Sequence, residues 1–171
     1  MKFESLHELY LSELKDLYSA EDQIFKALPK VIEKAASAEL RRALEHHLEE
    51  TRGHVSRLEE VFEMHGEEPK KQKCKGMQGI LEEGEEMLGK DAEPEVRDAA
   101  IISACQRVEH YEIAAYGTVR TYAQQMGQER AAAVLKQTLD EEMAADKKLT
   151  QIANSQVNIE ARTVSSRRAA S

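Results

Sequence analysis

Seven side chains stand where their chemistry conflicts with their surroundings: Glu21, Glu50, His54, Glu109, Glu112, Glu142 and Asp146. Tyr10, Leu14, Leu17, Ile24, Leu28, Val31 and Ala35 recur at alternating spacings of four and three, which on a helix is one face. Glu21 falls in that register, with apolar turns on both sides. A second stripe, Ile102, Cys105, Tyr116, Val119, Ala123 and Met126, is interrupted by Glu109 and Glu112 one turn apart. A third runs Leu40, Leu44, His47, Thr51, His54, Leu58 and Val61, with Glu50 flanking it. The fourth is Leu135, Thr138, Glu142, Ala145, Leu149 and Ile152, with Asp146 flanking it four residues after Glu142. A lone ionised carboxylate on an apolar face is destabilising by several kcal/mol.

The register also brings these groups together. With helix–helix turns near residues 37 and 127, Glu21 is expected opposite residue 53, beside Glu50 and His54. Glu109 and Glu112 are likewise expected opposite 142–145, at ~1.5 Å of rise per residue. Like charges in one apolar slab cannot all ionise unaided. A pair of metal ions resolves the conflict, because carboxylates bridge two ions and imidazole completes the shell. Four helices each offering Glu suit iron or manganese in a di-metal centre. The alternative is a metal-free polar core in which Glu112 bonds Tyr116, Glu50 bonds His54, and Glu109 shares a proton with Glu21. His47 and His65 are read as helix-surface or core-edge residues.

The elements that must position these groups follow from the same periodicity. Helices are predicted over about 3–36, 38–65, 77–88, 94–126 and 128–155, with Gly66, Pro69, Gly89, Pro94 and Gly127 as punctuation. Tight turns join the first two long helices and the last two, so each pair is an antiparallel hairpin. About 30 residues separate the hairpins, enough for a crossover carrying the short helix. The expected fold is all-α: a ferritin-like four-helix bundle over residues 1–155. Residues 156–171 form a polar, disordered tail. Pro29 is expected to bend the first helix, and Gly53 to mark a close backbone approach or a bulge.

Composition agrees. The 171 residues hold 33% charged and 5% aromatic residues, no Trp and only 3 Pro, so good helix formers dominate. No apolar run approaches the ~20 residues of a membrane span, and the first residues lack the apolar core of a signal peptide. A cytoplasmic protein is expected. Lys and Arg number 24 against 32 Asp and Glu, a net charge of −8 that repels nucleic acid. Cys74 and Cys105 make no C-x-x-C pair. The lysines around Cys74 are expected to lower its thiol pKa, which would suit a redox role; a buried or merely exposed thiol is the other reading.

The motifs Asp16-Leu17-Tyr18-Ser19-Ala20-Glu21, His47-Leu48-Glu49-Glu50-Thr51, Lys73-Cys74-Lys75-Gly76-Met77, Val108-Glu109-His110-Tyr111-Glu112 and Thr138-Leu139-Asp140-Glu141-Glu142 resemble the YciE/YciF group of stress-associated bacterial proteins. The resemblance covers residues 3–155 and implies a ferritin-like bundle, a homodimer and a link to stress. Glu109-His110-Tyr111-Glu112 is also similar to the third-helix motif of rubrerythrins, in which both carboxylates bind iron, and Glu21 matches their first-helix ligand. The other two helices depart from that pattern. Glu50 precedes His54 by four residues instead of three, and Asp146 stands where a second His would be expected. Two functions are carried forward: a di-metal protein acting on O₂ or peroxide, and a non-enzymatic dimeric bundle with a metal-free polar core. Mineral storage is weaker, because it needs a closed shell of many subunits.

Overall fold

Four long amphipathic helices close into a ring in the computed structural model, which describes residues 3–169. They are α1 (Leu6–Lys34), α2 (Ala38–Met64), α4 (Pro94–Gln125) and α5 (Glu129–Ile152); α3 (Lys75–Leu88) lies in the crossover. Local chemistry sets their ends. Ser5 and Ser37 cap α1 and α2 by accepting hydrogen bonds from the backbone N–H groups of Glu8 and Leu40. Pro94 opens α4, where its missing N–H is harmless. Gly66, after α2, and Gly127, between α4 and α5, adopt φ of 66° and 70°, in the left-handed region that favours glycine.

Helix α1 packs on α2, α2 on α5, α5 on α4 and α4 on α1, while α3 lies against α1 and α4. This is the expected ferritin-like arrangement of two hairpins and one long crossover. Asp98 of α4 pins the first hairpin turn. Its Oδ1 accepts from the Ala36 N–H at 2.8 Å and its Oδ2 from the Ser37 N–H at 2.7 Å, in a position only 3% exposed.

The core is split in two. One apolar cluster gathers Ile24, Leu28, Leu44, Ile101, Cys105 and Ile152. The other gathers Tyr10, Leu14, Leu58, Phe62, Val119 and Leu135. On every helix of the ring the anomalous acids and imidazoles fall between the two, so the apolar ends seal a polar slab at mid-bundle.

Three expectations are corrected. The segment after residue 155 is helical: a five-residue π-helical stretch, Ala153–Val157, leads into α6 (Asn158–Ala169). The wider turn keeps Ile152 and Val157, five residues apart, both buried at 0% and 1% exposure, and α6 packs on α4. Residues 170 and 171 lie outside the described residues. At Gly53 a Cβ would meet nothing within 4 Å, so no close backbone requires the glycine there. The lysines around Cys74 are exposed, and the thiol is buried as the N-cap of α3, accepting from the Met77 N–H. Its Sγ lies 3.0 Å from the Tyr111 hydroxyl, which donates to Asp16. Burial and the nearby Asp16 therefore raise the Cys74 pKa. Helix α1 runs unbroken through Pro29.

Candidate metal centre

His54 sits at the middle of α2, fully buried. Its Nδ1 faces inward, 2.9 Å from Glu142 Oε1 and 3.4 Å from Glu21 Oε1. Its Nε2 faces outward and lies 2.9 Å from Glu141 Oε2. Glu141 is itself held by both guanidinium nitrogens of Arg57, at 2.6 and 2.7 Å. Burial alone would lower the His54 pKa, but the carboxylates of Glu142 and Glu21 outweigh it and raise it to about 11.

His47 lies two turns earlier on the same face and is 6% exposed. Its Nε2 is 3.4 Å from Glu109 Oε1 and 3.9 Å from Glu142 Oε2, while its Nδ1 is 3.5 Å from Glu50 Oε2. Each imidazole thus has one nitrogen toward the acids and the other toward an outer carboxylate, the arrangement that orients metal-binding histidines.

Glu21, Glu109, Glu112 and Glu142 complete the slab, all nearly or fully buried. Burial, reinforced by the neighbouring acids, holds Glu109 and Glu112 well above the usual carboxylate range. Burial would raise Glu142 too, but His54 and then His47 bring it below its ordinary value. Tyr116 donates to Glu21 Oε1 at 2.5 Å. Even so, among the described residues nine buried atoms make no well-formed hydrogen bond: Glu21 Oε2, both His47 nitrogens, His54 Nδ1, Glu109 Oε2 and both oxygens of Glu112 and Glu142, although His54 Nδ1 and Glu142 Oε1 meet as a close ion pair. Buried polar groups are ordinarily satisfied. The residues that carry these atoms form two sets, each residue offering one ligand atom within 4.8 Å of the others: His47, Glu109, Glu112 and Glu142, and Glu21, His54 and Glu142. Oxygen and imidazole donors in such sets fit iron or manganese.

A protein-family model, described as a domain of unknown function (DUF892), matches residues 5–162. The chain belongs to the DUF892 family. This DUF892 chain is 43% identical to protein YciF of Escherichia coli K12 over 159 residues, 92% of this chain and 96% of that protein. The crystal structure of the E. coli stress protein YciF superposes with a TM-score of 0.87 over 91% of this chain and 99% of that one. YcfI of Rhodopseudomonas palustris gives 0.84 at 42% identity, over 86% and 94%. A Xanthomonas campestris protein, 18% identical over 96% and 99%, shares the fold with a TM-score of 0.71. The resemblance to the YciE/YciF group read from the motifs therefore holds. Among the described residues no helix is long and apolar enough to cross a membrane.

Of the seven residues singled out in this DUF892 sequence, the structure gathers Glu21, His54, Glu109, Glu112 and Glu142. Glu50 stands at the edge, between His46 Nε2 at 3.2 Å and His47. Asp146 is turned away; it accepts from Gln106 at 2.9 Å and lies 3.3 Å from His110. His47 is the residue that sequence reasoning passed over, although its stripe position seven residues before His54 carried the signal. Glu141 gave none, since it lies beside the stripe and acts through Arg57. His65 does sit at the core edge, 3.3 Å from the Tyr10 hydroxyl.

Proposed function

We propose that this protein is a stress-associated metalloprotein whose bundle core holds two iron or manganese ions and acts on O₂ or peroxide. The carrying observation is the buried set of four carboxylates and two imidazoles whose polar atoms lack full hydrogen bonding, gathered into two residue groups that share Glu142. In this reading Glu21, His54 and Glu142 hold one ion, and His47, Glu109, Glu112 and Glu142 the other. Bound, such a pair exchanges electrons with O₂ or peroxide.

The chain's own contribution is positioning. Glu141, fixed by Arg57, holds the outer nitrogen of His54, and Glu50 stands beside that of His47. Tyr116 holds Glu21 through its hydroxyl proton. The apolar clusters close the slab toward both ends of the bundle. The stress link is supported by similarity to E. coli YciF, named a stress protein. The homodimer and the cytoplasmic setting extend the resemblance to its family.

The test is metal content by plasma mass spectrometry on untagged protein purified without chelators, then loaded anaerobically with ferrous iron. About two ions per chain, with an absorbance band that peroxide bleaches, is the expected result. Protein that stays metal-free after loading overturns this reading. It would favour a non-enzymatic bundle, in keeping with the structural-protein label on R. palustris YcfI.

A further inference from the structure

Two openings reach His47 and Glu109 from different sides, and their walls differ in chemistry. The opening between α2 and α5 carries Glu39, Arg42, His46, Glu50 and Lys148 beside alanines and leucines such as Ala43 and Leu149. Its charged groups can accompany ions and water. The other is a cavity of about 170 Å³ between α1, α3 and α4. Its walls are Leu28 and Val31 of α1, Ile80 and Leu81 of α3, and Ala104 and Val108 of α4.

Exposure orients this cavity. Lys30, Lys34 and Glu85 line it and are exposed, so they mark its mouth. His47 and Glu109 line it at 6% and 2% exposure, so they mark its inner end. The space persists because Ala27, Gly84 and Ala104 place small residues along it. Gly84 in particular brings α3 onto α4, where an added Cβ would stand 3.4 Å from that of Ala104.

An enclosed cavity of ~150 Å³ with aliphatic walls accommodates benzene, and this one is of comparable volume. Between its charged mouth and its inner end the walls are apolar and offer an ion no partner, which favours an uncharged occupant. We infer that this cavity is a binding site for a small, uncharged, hydrocarbon-like molecule of about benzene's size, held with one end at His47 and Glu109. Its role as the substrate pocket of the centre rests on the metal reading above; its ability to bind such a molecule does not.

The experiment titrates the full chain, both chelated and iron-loaded, with benzene and with phenol, read by methyl NMR and melting temperature. The expected result is methyl shifts at Leu28, Val31, Ile80 and Leu81 in both metal states, with a raised melting temperature. Ala104→Leu fills the space and should weaken binding about tenfold or more; Ala27→Leu is the second filling variant should the first not fold. No methyl shift in either metal state overturns the inference, as does undiminished binding in a folded filling variant. Benzene bound by protein that takes up no iron upholds the cavity and removes the metal reading alone. In iron-loaded protein, an absorbance band that shifts with benzene supports the substrate-pocket role, and one unmoved at saturation overturns that role.

Discussion

His47 and His54 occupy one face of α2 with ring centroids 6.2 Å apart, and each divides its two nitrogens between the buried acids and an outer carboxylate. In the usual ferritin-like pattern two different helices each supply a Glu-x-x-His pair. Here α2 supplies both imidazoles and α5 contributes Glu142. A spacing of seven residues is two turns of helix, so both rings face the bundle axis.

That placement ranks two substitutions. At saturating metal, His47→Ala is expected to reduce bound metal from about two ions per chain to about one, while Asp146→Ala leaves it at about two. Plasma mass spectrometry on the two variants decides. Loss in Asp146→Ala with retention in His47→Ala would reverse the assignment.

Glu141→Gln keeps the shape of the side chain but removes the charge that links His54 to Arg57. Outer partners of this kind are worth ~10–100-fold in metal affinity. Competition against a chromogenic chelator should show a loss of that order in folded protein. Unchanged affinity would mean that Glu141 does not position His54.

Chelated and loaded protein should respond to acid in opposite directions. Glu109 and Glu112 are raised above their ordinary value of 4.5, so the folded protein holds protons there that the unfolded chain has released. Their contribution is complete below 4.5 and is lost as pH rises through the raised values. His54, raised from 6.5 to about 11, acts with the same sign, its stabilisation complete below 6.5 and lost as pH rises toward 11. Glu142 is lowered, so its opposing effect arises only below 4.5. Metal-free protein is therefore expected to melt several degrees higher at about pH 5.5 than at about pH 7.5. Loaded protein should melt lower at the acid value, as protons displace the ions. Calorimetry at the two pH values checks both signs, and a metal-free protein that weakens in acid would falsify this account.

Gly53 precedes His54 inside α2, yet a Cβ there meets nothing within 4 Å. Gly53→Ala should therefore stabilise the fold by about 0.5–1 kcal/mol. Urea unfolding measures it. A destabilised variant with lowered metal content would reveal that α2 must flex beside His54.

The bundle was legible because its stripes are long and their phases agree. Leu17, Glu21 and Ile24 share a register, as do Cys105, Glu109 and Glu112, so the slab followed from turn positions alone. Two features resisted. Asp146 shares the face of Glu142 at a spacing of four, but Gln106 and His110 draw it outward, a choice made by neighbouring helix α4. The end of α5 was equally hidden, because a π-helical stretch breaks the 3.6-residue period that reveals a buried face. Only that wider turn shows why Ile152 and Val157, five residues apart, both reach the core. Cys74 failed for a related reason: adjacent lysines govern a thiol only when they face it, and these face solvent.

Glu142 belongs to both ligand sets. One carboxylate answering to two ions would make their occupancies interdependent. An ion held at either set would fix the side chain that the other set needs. Half-filled molecules should then be scarce when metal is limiting, with empty and full ones predominating. The centre would assemble and come apart as a single cooperative unit, tuned to a threshold of available metal.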